Sequence, residues 1–470
     1  MNYISTRGLA PVLSFRDVLL AGLARDGGLY VPETWPTLTR AAIADFAGHP
    51  FADVAVEVLS AFTGGEIARE HLATMAREAY STFGHAAVTP LVQIDPETFV
   101  LELFHGPTLA FKDVAMQILA RLMDHVLEER GERVTIVGAT SGDTGGAAIE
   151  AFRGRARTDV VILYPKGRVS DVQRRMMTTP TEANVHAVAI EGTFDDCQAL
   201  VKAMFNDHAF RDRVRLSGVN SINWGRIVAQ VTYYFAAATA LGSPHRDVAF
   251  SVPTGNFGDI FAGYVAKRMG LPIADLVIAS NANDILPRTI ESAAYEMREV
   301  VATSSPSMDI QVSSNFERYL FEASGRDPSS VRALMGSLTQ SRRFELGDIA
   351  ERTRQDFAAS RASEADVAQA IRHVEKTSGY VMDPHTACGY VAAARARTGG
   401  SRAPRVILAT AHPAKFPDSM AAITGRRPPL PQRLASLLSD PERTETLPND
   451  LAAVERYVES RSRAAGAVAA

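Results

Sequence analysis

The chain has 470 residues, 46% of them apolar and 22% charged, with a formal net charge of −4; this is an ordinary soluble composition, long enough for two or three domains. Arginines are interspersed with carboxylates rather than gathered in a stripe, which argues against nucleic acid as a partner, and no apolar run reaches the ~18 residues of a membrane span. The opening MNYISTRGLAPVLSF lacks a basic segment followed by an apolar core, and Cys197 and Cys388 have neither metal-ligand nor CxxC spacing, so no metal is read and a reducing cytoplasm is expected.

Residues 1–90 alternate short helical patterns with turns such as Asp26-Gly27-Gly28 and Thr63-Gly64-Gly65, and read as an N-terminal lobe without evident chemistry. Residues 91–425 then alternate strands and helices. LELFHGPTLAFKDVAMQILARLMDHV (101–126) opens as an apolar strand and breaks at Gly106-Pro107. Thr108 is well placed to cap the helix that follows, with Ala115, Ile118, Leu119, Leu122 and Val126 on one face. Lys112 falls in the first turn, where the helix dipole disfavours an ammonium group and favours an amine that must become neutral and nucleophilic. Only six of the 49 basic residues are lysine (112, 166, 202, 267, 376 and 415). Where charge alone is needed the chain uses arginine, which cannot form a Schiff base. The plainer alternative is a lysine paired with Asp113 or Glu102.

Apolar runs at 134–139, 159–165, 184–190, 247–253, 272–280 and 405–409 are separated by helical patterns, which implies parallel pairing in a doubly wound α/β sheet. A helix with a polar entry occupies 220–241. Residues 300–345 are rich in Ser, Arg and Asp and read as a helical insertion; another helix is expected at 363–376. From 426 to 470 the pattern predicts a tail with two short amphipathic helices and an Ala-rich terminus that frays. Three turns lie at the carboxyl ends of strands, where such sheets bind ligands. Gly138-Ala139-Thr140-Ser141-Gly142-Asp143-Thr144-Gly145-Gly146 sets small hydroxyl residues between glycines at a helix start, a geometry suited to a carboxylate or phosphate. Thr254-Gly255-Asn256-Phe257-Gly258-Asp259 could cradle a dianion without a lysine. Ala409-Thr410-Ala411-His412-Pro413-Ala414-Lys415-Phe416 offers a hydroxyl, an imidazole and an ammonium. A nucleophilic lysine, two anion cradles and a hydroxyl at a strand end are what a pyridoxal phosphate site requires.

HGPTLAFKD, ATSGDTG, SVPTGNFGD and ATAHPAKF, in that order, closely resemble the threonine synthase family, of the type with an N-terminal extension, within the tryptophan-synthase-β-like, fold type II enzymes. The resemblance runs to about residue 425. It implies that Lys112 carries pyridoxal 5′-phosphate, that Gly255, Asn256, Phe257, Gly258 and Asp259 hold the cofactor phosphate, and that Thr410 faces the pyridine nitrogen. Ser141, Gly142, Asp143 and Thr144 then lie near the substrate carboxylate, and Asn220, Ser221, Asn223 and Arg226 near the substrate phosphate. Many relatives of the fold carry Asn where this chain has Asp143, and Ala409 stands where glycine is expected. The implied reaction converts O-phospho-L-homoserine and water to L-threonine and phosphate in a monomer or homodimer. A dehydratase or phospholyase on the same fold, and a non-catalytic anion-binding protein, are the alternatives.

Overall fold

A computed structural model describes residues 1–396 and 403–466. Two sheets organise them. The larger has the order 358–361, 273–280, 248–253, 405–409, 98–102, 91–93, parallel except for its last pair. The smaller has the order 445–448, 185–191, 158–165, 134–139, 216–217 and is parallel throughout. Strands Thr158–Pro165 and Val248–Pro253 are buried along their whole length. That is expected where helices cover both faces of a parallel sheet, and the doubly wound α/β expectation holds.

The helix Lys112–Arg130 is buried nearly all round from Asp113 to Leu127, rather than along one stripe. It packs against the helices Trp224–Ala240, Arg69–Tyr80 and Asp143–Phe152. Its start differs from expectation. Thr108 does not cap it; the residue before the first turn is Phe111. Leu109 takes φ +59° and Ala110 bridges to Ala411, so the chain stays irregular for three residues longer than the polar signal implies. The Thr108 amide and hydroxyl donate instead to Asp113, at 2.8 and 2.6 Å. Lys112 thereby becomes the first helical residue, with no helical carbonyl to offset the dipole.

The N-terminal segment lays the strand Tyr3–Ser5 against Tyr30–Pro32 and packs Tyr3, Trp35 and Phe62 around the buried Trp224. The insertion holds helices Phe316–Ala323 and Pro328–Ser341 as expected, and is closed by a short ladder of 294–296 with 343–345. The tail holds two helices, Leu451–Arg461 and the short Arg463–Gly466, and adds an unexpected strand before them: Glu445–Pro448 extends the smaller sheet. The terminus expected to fray, 467–470, lies outside the described residues. No helix among the described residues is long and apolar enough to cross a membrane.

Candidate active site

Four strand ends meet between the two sheets. The strand 98–102 leads to Lys112, 134–139 to Asp143, 248–253 to the Gly255–Asp259 loop and 405–409 to Thr410. Lys112 Nζ lies 3.3 Å from Asp143 Oδ2. Neither Asp113 nor Glu102 takes this lysine: Asp113 is occupied by Thr108, and Glu102 by His105 at 2.7 Å. Lys415 Nζ is 2.6 Å from the other Asp143 oxygen and donates to the Thr108 carbonyl at 2.8 Å. Gln173 Nε2 and Ser307 Oγ complete the shell, donating to Asp143 at 2.9 and 3.0 Å. Ser307 is itself fixed, its amide donating to His385 Nε2 at 3.2 Å while His385 Nδ1 faces Asp383 Oδ2 at 2.7 Å. That arrangement places the imidazole proton on Nδ1.

The electrostatics follow from this shell. Burial lowers the Lys112 amine below its ordinary pKa; Asp143 acts the other way, and the charges of Lys415 and Arg226 push it down again. Burial alone would raise the Asp143 carboxyl. The ammonium groups of Lys415 and Lys112, with hydrogen bonds from Lys415 and Gln173, overcome that and hold it well below the usual carboxylate range. Asp143 is therefore ionised and its charge is shared. Lys415 takes the shorter contact, which leaves Lys112 able to lose its proton.

Two glycines are required by space. A Cβ at Gly142 (φ +144°) would come within 2.7 Å of the Gln173 amide, and a Cβ at Gly255 would sit 2.8 Å from the Ser307 carbonyl oxygen. Each therefore permits a contact that fixes a partner of Asp143. Thr140 Oγ1 accepts from the Gly142 and Gly145 amides, both at 2.9 Å. The Asp143 and Thr144 amides donate to nothing among the described residues, and Ser141 is exposed beside them.

The same is true of six consecutive amides from Gly255 to Ile260. Phe257 precedes the helix Gly258–Arg268 in the left-handed region at φ +63°, an uncommon conformation for a bulky residue. Its ring is buried against Phe316, Tyr319 and Phe357. The insertion grips this loop: Ser313 Oγ donates to the Gly255 carbonyl at 2.6 Å, and Asn315 Nδ2 to those of Asn256 and Ser221 at 3.0 and 3.1 Å. Ser314 Oγ lies 3.2 Å from Asn256 Oδ1 and 3.4 Å from Ser221 Oγ. The loop and the 220–226 segment are thus brought together by residues 313–315.

The side chains of two expected ligands are otherwise engaged. Asn223 is fully buried; its Oδ1 caps the helix Trp224–Ala240 through the Gly225 amide at 2.9 Å, and its Nδ2 donates to the Leu19 carbonyl at 2.9 Å. It has nothing left for a substrate. The Asp259 carboxyl receives Tyr233 at 2.5 Å and Tyr234 at 3.0 Å, both on Oδ1, so its side chain braces the loop while its amide stays among the free donors. Burial pushes the carboxyl up to about 7. Arg226 remains available: it is buried, its guanidinium lowered to about 10 by burial, its Nε without a partner and its Nη1 only 3.4 Å from the Val219 carbonyl. A buried cation without a carboxylate calls for an anion. Asn220 is exposed at the rim. The Thr410 hydroxyl takes no partner among the described residues, while its carbonyl accepts from the Phe111 amide at 2.8 Å, next to Lys112. His412 serves structure, accepting from the Ala414 amide at 3.1 Å; burial pushes it down to about 4.

Sequence reasoning did not place Lys415, Gln173, Ser307, His385 or residues 313–315 in the site. Only Lys415 carried a signal, as one of six lysines at the end of a strand. A cavity of about 630 Å³ lies beside these strand ends, lined by Glu102, Phe104, Tyr380, His412 and Arg433 among others. It includes neither Lys112 nor Asp143, so chemistry rather than volume locates the site.

Three family models match the chain: threonine synthase N terminus over residues 2–80, pyridoxal-phosphate dependent enzyme over 82–411, and threonine synthase, C-terminal, over 386–458. The chain is 52% identical over 460 residues to a threonine synthase from Pseudomonas aeruginosa, covering 97% of this chain and 98% of that one. Among solved structures it is similar to the PLP-bound threonine synthase from Brucella melitensis, with 60% identity, a TM-score of 0.96, and 98% and 100% of the two chains covered. The yeast threonine synthase structure has 39% identity and a TM-score of 0.92, with 98% of each chain covered.

Proposed function

The chain belongs to the threonine synthases, a family of pyridoxal-phosphate-dependent lyases, and from that premise we propose that it converts O-phospho-L-homoserine and water to L-threonine and phosphate at the Lys112–Asp143 site. The observation that carries the reading is a buried lysine whose one carboxylate neighbour is already neutralised by a second lysine. The residues present fit pyridoxal phosphate. Free amides from Gly255 to Ile260 supply a phosphate cradle at a helix start. Lys112 supplies the amine, and Thr410 a neutral hydroxyl for the pyridine nitrogen. When bound, the cofactor supplies an electron-withdrawing ring joined to the substrate amino group, which acidifies the hydrogens at Cα and Cβ.

The protein's part is to bind, orient and move protons. The amides of Asp143 and Thr144, with Ser141 at the rim, receive the substrate carboxylate. Arg226, with Ser221 and Asn220 at the entry, receives the phosphate leaving from Cγ. Lys112, displaced by the substrate, is the base that takes the Cα proton and the acid that later returns one. Asp143, held ionised by Lys415, stabilises the ammonium form of Lys112 each time it carries that proton. Thr410, unlike a carboxylate, gives no charge support to a protonated ring nitrogen. Net bond changes are loss of the Cγ–O bond and of one Cβ–H bond, with formation of a Cγ–H bond and of the Cβ–O bond to water; the Cα proton is removed and then returned, so Cα is unchanged. The direct test is to supply O-phospho-L-homoserine and measure products: threonine and phosphate should appear in equal amounts, and phosphate without threonine would refute the proposal.

Two further outcomes follow from the cradle. Gly255→Ala drives a Cβ into the Ser307 carbonyl, so both the cradle and the Ser307–Asp143 bond must shift. Cofactor retention in equilibrium dialysis should weaken by about tenfold or more, since one lost charge-assisted hydrogen bond is worth about 1.5–3 kcal/mol. Unchanged retention would contradict the assigned cradle. Asp259 is raised from 3.8 to about 7 by burial. The native state therefore keeps a proton that the unfolded chain releases, so this group's contribution to stability is full below pH 3.8 and is lost as pH rises through about 7. Asp259→Asn should remove a slope of up to about 1.4 kcal/mol per pH unit. In urea titrations of the holoenzyme, the wild-type midpoint should fall relative to the variant's between about pH 5 and pH 7. Parallel midpoints would contradict the assignment.

A further inference from the structure

His71, on the helix Arg69–Tyr80, projects against His125 and Glu129 on the helix that begins with Lys112. The ligand atoms of the three side chains all lie within 4.8 Å of one another, the one such group of three among the described residues. His125 Nε2 and Glu129 Oε1 are 3.4 Å apart. That is about the edge of a tetrahedron whose corners lie ~2.0–2.1 Å from a central zinc. The His125 and His71 rings meet edge-on with centroids 4.9 Å apart.

A second observation points to a ligand. His125 Nε2 is buried and has no hydrogen-bond partner. The neighbouring carboxylate is too poorly aligned to satisfy it, although it lies within ion-pair range. Arg16 holds the other oxygen of Glu129 at 2.8 Å, which leaves Oε1 turned toward His125. His71 is exposed and takes no hydrogen bond among the described residues, so its ring can rotate the short way needed. The i, i+4 spacing of His125 and Glu129 sets both on one helix face, and the neighbouring helix supplies the third ligand.

We propose that His71, His125 and Glu129 form a binding site for a borderline divalent transition-metal cation of the zinc class. Two imidazoles and one carboxylate select this class over calcium or magnesium, which prefer oxygen-only shells. The cation would tie the N-terminal helix to the far end of the lysine helix, 13 residues from Lys112. It would act as a clamp on the scaffold and take no part in the reaction chemistry.

The experiment is zinc binding to the holoenzyme by calorimetry, with thermal melting in parallel, for the wild type, His71→Gln and His125→Gln. Retention of cofactor absorbance reports that each variant is folded. The wild type should bind one zinc per chain at this site and melt at a higher temperature with zinc, but not with magnesium. Each variant should bind zinc at least tenfold more weakly and lose the zinc-dependent rise. Zinc affinity and melting shifts that are the same in wild type and both variants would overturn the proposal, as would the absence of any wild-type shift.

Discussion

Lys112→Arg should leave a folded protein that has lost its near-violet absorption band and its turnover, the latter by about 10⁴-fold or more, as expected when one group serves as both covalent anchor and general base. Arginine keeps the positive charge next to Asp143, so the ion network survives and the loss isolates the chemistry of the amine. The guanidinium neither forms an imine nor gives up its proton near neutral pH. Absorbance after gel filtration and threonine production check the two effects separately. A variant that still holds cofactor reducible by borohydride onto the protein would show that another lysine is the anchor. Lys415 is the one within reach of the same carboxylate.

Lys415→Met should give the second-largest effect, and it should depend on pH. The substitution removes the cation that takes the 2.6 Å contact with Asp143, leaving the whole carboxylate charge to Lys112. The amine is then harder to deprotonate. Each tenfold rise in its proton affinity lowers the fraction of free base about tenfold on the acid side. The ascending limb of the kcat profile should therefore move to higher pH, with kcat partly restored under alkaline conditions. Lys415→Arg, which keeps the charge, should move it less. Asp143 is 5% exposed and Lys415 1%, so solvent does little to screen the change. A uniform drop in kcat with an unmoved limb would mean that Lys415 only supports packing.

The glycine turns and Lys112 were legible because each follows an apolar strand and opens a helix; local pattern alone marks where an α/β sheet places a ligand. The family resemblance then assigned roles that spacing could not. What stayed hidden is what the fold assembles from distant segments. Asp143 meets Lys415, Gln173 and Ser307 across separations of 272, 30 and 164 residues, and no periodicity records such meetings. Asn223 shows the opposite error. It sits in a polar, ligand-like stretch, yet an asparagine before a helix is as readily its cap. Thr108 looked like a cap for the same reason, but the bridge from Ala110 to Ala411 delays the helix. The strands 294–296, 343–345 and 445–448 are too short to show alternation and exist because a partner is present.

The insertion has a role that its composition did not disclose. Through Ser307, Ser313, Ser314 and Asn315 it holds Asp143, the Gly255–Ile260 loop and the segment before Arg226 in one frame. On the proposed reading the two anion sites belong to different phosphates, one permanent and one leaving. That division lets a single lysine work on a substrate whose leaving group is two carbons away from the proton it removes.

The proposed reaction makes an isotopic demand that simple elimination cannot meet. With O-phospho-L-homoserine in water enriched in both deuterium and heavy oxygen, the threonine formed should carry deuterium at Cα and in the methyl group. Its β-hydroxyl should carry heavy oxygen, and one phosphate should be released per threonine. Mass spectrometry of the product reads all three labels in one sample. Accumulation of 2-oxobutyrate in place of labelled threonine would contradict the account at its centre, leaving a lyase on the same scaffold.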